Sequence, residues 1–259
     1  MTNVLTEYFR RELSKLGYTV EEKNITWSLG HCQGDGMAFT GSFHGNDLKA
    51  IGRRLLRGYA TEMYPALRAI TKGASIVISS NTHHYSHYNT MDVVGDVDST
   101  DCTDIEMDCF DRFVKTFEED VRDTSKRLAN EGYEIIDAFG FQEETVRTFR
   151  TKRFELRISE LPEEAEGHFD DLDDSSYQEL AAGNFRIRCI RVDIFDLDED
   201  GDPVDEIGNA YLGGVWIPNH ENDRSYGGYR QQLISEAVAE ARGYTGLEKK
   251  PGSKLAIAA

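Results

Sequence analysis

Basic side chains are scarce in this 259-residue chain, where 29 Lys and Arg stand against 47 Asp and Glu for a formal net charge of −18. Phosphate backbones and anionic lipid surfaces repel such a molecule, which argues against direct nucleic-acid or membrane binding. Long apolar runs are missing too. The longest cover a few residues, as in Ala74 to Ile78, against the ~20 needed to cross a bilayer. The opening MTNVLTEYFRRELSKLG has no signal-peptide core. Cytoplasmic residence is the expectation. Cysteines number only four, Cys32, Cys102, Cys109 and Cys189. The single close pair, Cys102 and Cys109, fits neither a zinc knuckle nor a redox C-x-x-C, so all four are expected to be reduced thiols.

Catalytic signatures are absent as well. The chain contains no Walker loop, dinucleotide fingerprint, G-x-S-x-G elbow, H-E-x-x-H or zinc-deaminase motif. A non-enzymatic protein without a cofactor is therefore expected. No heptad run or collagen-like repeat is present, which places a structural or assembly role last among the readings.

What is present suffices for a core: 39% of residues are hydrophobic. The excess charge is concentrated. Segments 92–123, 155–180 and 193–206 carry −9, −9 and −8, leaving +8 for the remainder. Solvated acidic loops would account for this, but acidic faces directed at a basic partner would as well.

Periodicity predicts an α+β fold of alternating helices and antiparallel hairpins with a smaller C-terminal ββα unit. Leu5, Tyr8, Phe9, Leu13 and Leu16 mark an amphipathic helix stopped by Gly17. Ile25 to Phe43 alternates as a hairpin around Gln33-Gly34-Asp35-Gly36. Residues 47–71 read as a helix split or kinked at Pro65, and the run Ile76 to Ile78, turning through Ser80 to His83 and returning through Tyr85 to Val94, as a second hairpin. Asp104 to Asn130 forms a long helix ended by Gly132. A strand at 134–138, a short helix at 142–149 and a strand at 153–158 follow. Strands 185–195 and 207–217 and a helix at 229–242 complete the chain. The expected division is a domain over 1–159, an acidic linker over 160–183 and a C-terminal unit over 184–259 with a frayed tail.

Four clusters invite chemistry. His31, Cys32 and Asp35 juxtapose a thiol, an imidazole and a carboxylate, but neighbouring hairpin residues point to opposite faces and Gly34 and Gly36 suit a tight turn, so a structural turn outweighs a nucleophile. A ligand loop built from Cys32, Gln33, Gly34, Asp35, Gly36, His84 and His87 stays open. His83 and His87 share strand parity but would sit roughly 13 Å apart, so no metal is assigned. Asp196 to Gly201 opens like a calcium loop, yet the twelfth position is Ile207 rather than Glu. Arg53, Arg54 and Arg57 form a basic cluster that reads as a solvated face or an anion site.

The hairpin Trp27 to Gly41, with Cys32-Gln33-Gly34-Asp35-Gly36, and the later His84-Tyr85-x-His87 strand resemble a largely uncharacterised family of small phage and prophage proteins carrying a (Ser/Cys)-Gln-Gly-Asp-Gly hairpin and a Tyr-x-His strand. The resemblance extends through Leu128 to Glu134 and covers about residues 20–155. It implies a phage or prophage origin and not a reaction; accessory proteins of phages often bind and block a host protein, and the charge of −18 fits such an anti-defence role.

The expected function is that of an acidic protein that binds and inhibits a host defence nuclease or other nucleic-acid-processing protein in the host cytoplasm, by mimicry of DNA. The carboxylates expected to carry it are Asp98, Asp101, Asp104, Asp108, Asp111, Glu163, Glu164, Asp170, Asp171, Asp173, Asp174, Asp198, Asp200 and Asp202. The alternatives are an antitoxin-like partner of a toxin and a metal-dependent hydrolase or small-ligand binder at the two hairpins. Self-association is left open.

Overall fold

A computed structural model describes residues 2–80, 91–163, 172–219 and 225–245. Among them are six α-helices and nine strands, all paired antiparallel, which is the α+β class expected. The chain forms two units, Met1–Glu134 and Ile135–Ala259.

The first unit opens with α1 (Thr2–Lys15), then β1 (Ile25–Ser28) and β2 (Gly36–Phe39), which pair as the expected hairpin. β3 (Gly41–His44) leaves that hairpin to join β4 (Ser75–Ser80) and β5 (Met91–Asp96) in a three-stranded sheet. Between β3 and β4 lie two helices, α2 (Gly45–Leu55) and α3 (Ala60–Thr71). The break falls at 56–59 and not at Pro65, which lies inside α3. Gly58 adopts φ +101°, a conformation that interrupts a helix at no steric cost to glycine. The turn of the second hairpin, with His83, His84 and His87, lies outside the described residues.

α4 (Asp104–Phe139) begins with a reciprocal cap: Thr103 N donates to Glu106 Oε2 at 2.9 Å and Glu106 N to Thr103 Oγ1 at 3.3 Å. Its apolar stripe, including Phe110, Phe113, Phe117 and Val121, is buried. Tyr18 is fully buried, with its ring 5.1 Å from Phe39 and 5.6 Å from both Phe43 and Phe117. The Tyr18 hydroxyl donates to Asp120 at 2.5 Å, and Arg54 grips the same carboxylate at 2.7 and 2.8 Å. Arg54 thus leaves the basic cluster expected with Arg53 and Arg57.

Gly132 does not end α4. A Cβ there would stand 2.6 Å from Leu29 and 2.9 Å from Phe9, so the glycine serves close packing inside the helix. The strand expected at 134–138 is the last part of α4, since Ile135, Ile136 and Phe139 are buried while Glu134 and Asp137 are exposed, a helical period.

In the second unit β6 (Glu144–Arg150), β7 (Phe154–Leu161), β8 (Phe185–Leu197) and β9 (Pro203–Pro218) form one sheet in that order. Residues 142–149, expected as a helix, lie largely in β6, where Thr145, Val146 and Thr148 favour a strand. The expected boundary at 159/160 falls inside β7, which pairs with β8 along its whole length. The expected linker likewise holds α5 (Asp174–Ala181), capped by Asp173. α6 (Tyr229–Tyr244) lays Leu233, Ala237 and Ala241 on Ile190, Val192, Ala210 and Ile217. No described helix is long and apolar enough to cross a membrane.

Candidate functional site

The loop between β1 and β2 is built around one carboxylate. Asp35 Oδ2 accepts from Gly30 N at 2.7 Å, Cys32 N at 2.9 Å and the Tyr133 hydroxyl at 2.5 Å. Asp35 Oδ1 accepts from Ser28 Oγ at 3.1 Å and Cys32 Sγ at 2.9 Å. The thiol and the phenol that donate to it hold the Asp35 carboxyl far below the usual carboxylate range. Conversely, hydrogen bonding to Asp35 pushes the Cys32 thiol up, and burial with the same carboxylate pushes Tyr133 up to about 12.

This arrangement determines what the loop can do. A carboxylate has about four lone-pair positions, and five donors reach this one, leaving no free oxygen to act as a general base or metal ligand. A thiol held protonated is a poor nucleophile. Gly34 supplies the positive φ of the turn, at +97°, and His31 supplies a second at +57°, its ring 4.6 Å from that of Tyr133. Gly36, expected to share the turn, opens β2 instead. Gln33 is exposed. Among the described residues no group of three or more His, Cys, Asp and Glu is arranged to hold a metal ion.

The expected partner-binding carboxylates divide by what they do locally. Asp98 accepts from Thr100 N at 2.9 Å, Asp173 from Ser176 N at 2.8 Å, and Asp198 from Asp200 N at 3.0 Å and Asp202 N at 2.8 Å. These organise their own turns, and the segment that opens like a calcium loop is the β8–β9 turn. Glu163 accepts from Gly214 N at 2.8 Å. Asp174 lies in the first turn of α5, and Asp200 and Asp202 lie in the β8–β9 turn. Glu164, Asp170 and Asp171 fall outside the described residues.

Asp101, Asp104, Asp108 and Asp111 differ. All four are exposed, and none has an ion-pair partner among the described residues. Asp104, Asp108 and Asp111 recur at i, i+4 and i+7, one face of α4. Ile105, next to Asp104 in sequence and 68% exposed, lies at the side of that face, about 100° round the helix from Asp104. The position at the helix start is favourable for negative charge. Glu106, on the buried side, donates nothing to this surface: it pairs with Lys72 at 2.6 Å, and that ammonium with the Thr103 N–H pulls it down to about 2.

Both features, the Asp35 loop and the acidic start of α4, fall within residues 2–138, which match the model of a domain of unknown function, DUF8835. The chain belongs to the DUF8835 family. No curated protein and no solved structure matches it. The DUF8835 match ends within α4, so β6 through α6 lie beyond it. Sequence reasoning placed Asp35 and the α4 carboxylates but missed Tyr133 and Ile105. The signal for Tyr133 was its place in the Leu128 to Glu134 segment; Ile105 read only as one apolar residue among acids.

Proposed function

We propose that this protein is a phage- or prophage-encoded binding protein whose acidic α4 surface engages a basic face of a host nucleic-acid-processing protein, a defence nuclease being the foremost candidate, and blocks it. The reading rests on one observation: Asp101, Asp104, Asp108 and Asp111 stand exposed without ion-pair partners among the described residues, with the 68% exposed Ile105 at the side of the face that Asp104, Asp108 and Asp111 share. An exposed apolar side chain next to charged ones suits a protein interface, and clustered carboxylates steer association with a cationic groove.

The test is capture from a bacterial lysate by the tagged protein and by the variant Asp104→Lys/Asp108→Lys/Asp111→Lys, with the captured proteins identified by mass spectrometry. The reading expects a nucleic-acid-processing protein that is released by salt and absent from the variant. Equal capture by both would overturn it.

A further inference from the structure

The first unit also carries the opposite charge pattern. Lys49, Arg53 and Arg57 recur at i, i+4 and i+8 from α2 into the turn beyond it, and Tyr64 and Arg68 at i and i+4 on α3. Arg53, Arg57 and Arg68 are exposed, and none of the four cations has an ion-pair partner among the described residues. Most other cations of the unit are paired: Arg10 and Arg11 with Glu7, Lys15 with Glu12, Arg54 with Asp120, Lys72 with Glu106, Arg112 with Glu62, and Arg127 with Glu131. In a chain with so large a surplus of carboxylates, four cations left without one on a single two-helix elbow are conspicuous. Tyr59 and Tyr64, 59% and 62% exposed, stand among them.

The two surfaces are complements. One joins the exposed Ile105 to Asp101, Asp104, Asp108 and Asp111 at the start of α4; the other joins the exposed Tyr59 and Tyr64 to Lys49, Arg53, Arg57 and Arg68 along the α2–α3 elbow. Tyr and Arg are the side chains enriched where protein interfaces hold tightly. We infer that the α2–α3 elbow docks onto the acidic start of α4 in a second copy of this chain. A polyphosphate suits the arginines alone, but it meets the repulsion of the whole chain and leaves the matching acidic surface unexplained. Self-association stands independently of any foreign partner. On the proposed function it has a consequence: the second copy covers the partner-binding stripe, so free protein is the active form.

Electrostatics give the association an unusual salt profile. Copies of charge −18 repel over the ~30 Å Debye length of 0.01 M salt, whereas at about 0.15 M the length is ~8 Å and the short contacts of the interface survive. At about 1 M those contacts weaken in turn. Self-association is therefore strongest at intermediate salt, while binding of a polyanion to the elbow falls steadily as salt rises.

The experiment is sedimentation velocity of the purified full-length protein across these salts, with two charge-reversed variants. One is Arg53→Glu/Arg57→Glu/Arg68→Glu and the other Asp104→Arg/Asp108→Arg/Asp111→Arg, each checked for folding by its thermal transition. Wild-type protein is expected to associate most strongly near 0.15 M. Each variant alone is expected to associate at least about tenfold more weakly, the loss of one charge-paired contact set. A mixture of the two, in which reversed elbow meets reversed stripe, restores association without depending on the stability of either variant. A monomeric wild type at every salt overturns the inference, as does a mixture no more associated than its components. A single-stranded oligonucleotide bound by monomeric wild type and not by the arginine variant assigns the elbow to a polyanion instead. Because no partner is present, failure here leaves the lysate capture untouched.

Discussion

The hydroxyl of Tyr133 donates to Asp35 at 2.5 Å across 98 residues of chain, joining α4 to the β1–β2 loop. The bond makes the loop a fixed structure in which Asp35 keeps the Cys32 thiol protonated. Asp35→Asn removes the charge that favours the thiol. The Cys32 pKa, raised by that hydrogen bond, falls toward the ordinary thiol range, and the thiolate fraction near neutral pH rises. Alkylation of Cys32, followed by peptide mapping, is expected to accelerate severalfold, with buried Cys109 as the internal control. An unchanged rate would show that Asp35 does not control the thiol.

Arg54, Asp120 and Tyr18 form the second long-range junction, tying α2 and the segment after α1 to the middle of α4. Asp120→Ala leaves a guanidinium and a buried hydroxyl without their acceptor. Loss of charge-assisted hydrogen bonds to partly buried groups costs about 2 kcal/mol, visible as a lower midpoint in urea. Tyr18→Phe keeps the ring contacts and the ion pair, so its cost is about 1 kcal/mol.

Much of this was legible in the sequence, and the failures have physical causes. The helical stripe of Phe113, Phe117 and Val121 and the alternation around Gly34 announced α4 and the first hairpin, because both follow from local periodicity. Gly132 was misread because a helix-stopping glycine and a close-packing glycine look alike until Leu29 and Phe9 are placed against it. Residues 142–149 were misread because a short stretch with Thr145 and Val146 gains its strand character from pairing with β7. The same holds for the site. Carboxylates at helical spacing on α4 could be read from the sequence, but telling turn-forming Asp98, Asp173 and Asp198 from Asp104 and Asp108, which have no ion-pair partner among the described residues, required the hydrogen bonds of each.

Glu106 makes stability depend on acid. Its folded pKa, pulled down to about 2, lies below its ordinary value. A carboxylate lowered on folding contributes stability that is present above the ordinary value and is lost as pH falls toward the folded one. Denaturation midpoints are therefore expected to drop between about pH 4.5 and about pH 2, and Glu106→Gln is expected to be less stable at neutral pH and to show a shallower drop. Equal slopes for wild type and variant would remove Glu106 from the account.

Asp193 has the opposite sign. It is 2% exposed, Arg191 donates to Oδ2 at 2.8 Å, and Oδ1 has no hydrogen-bond partner among the described residues. Burial pushes its pKa up. A carboxylate raised on folding favours the native state below its unfolded value and opposes it above. Asp193→Asn is expected to stabilise the protein at neutral pH by about 1 kcal/mol and to lose that advantage on acidification. Destabilisation at neutral pH that disappears on acidification would instead mean that the charge of Asp193 is needed by Arg191.

Gly208 tests the packing of the second unit. A Cβ at this position of β9 would stand 2.5 Å from the Ala237 carbonyl oxygen and 2.6 Å from Ala241 N, both backbone atoms of α6 that no side-chain rotation can move. Gly208→Val must push α6 away from the sheet face lined by Val192 and Ala210, at a cost of about 3 kcal/mol. The two tryptophans report on the units separately, since Trp27 lies in the first and Trp216 in the second. In a Trp27→Phe background the Trp216 fluorescence transition is expected at clearly lower denaturant than without the Gly208 change. In a Trp216→Phe background the Trp27 transition reveals whether the damage stays in β6 to α6. A Trp27 midpoint that does not move means the units unfold independently; one that falls in step means that a single cooperative transition spans both.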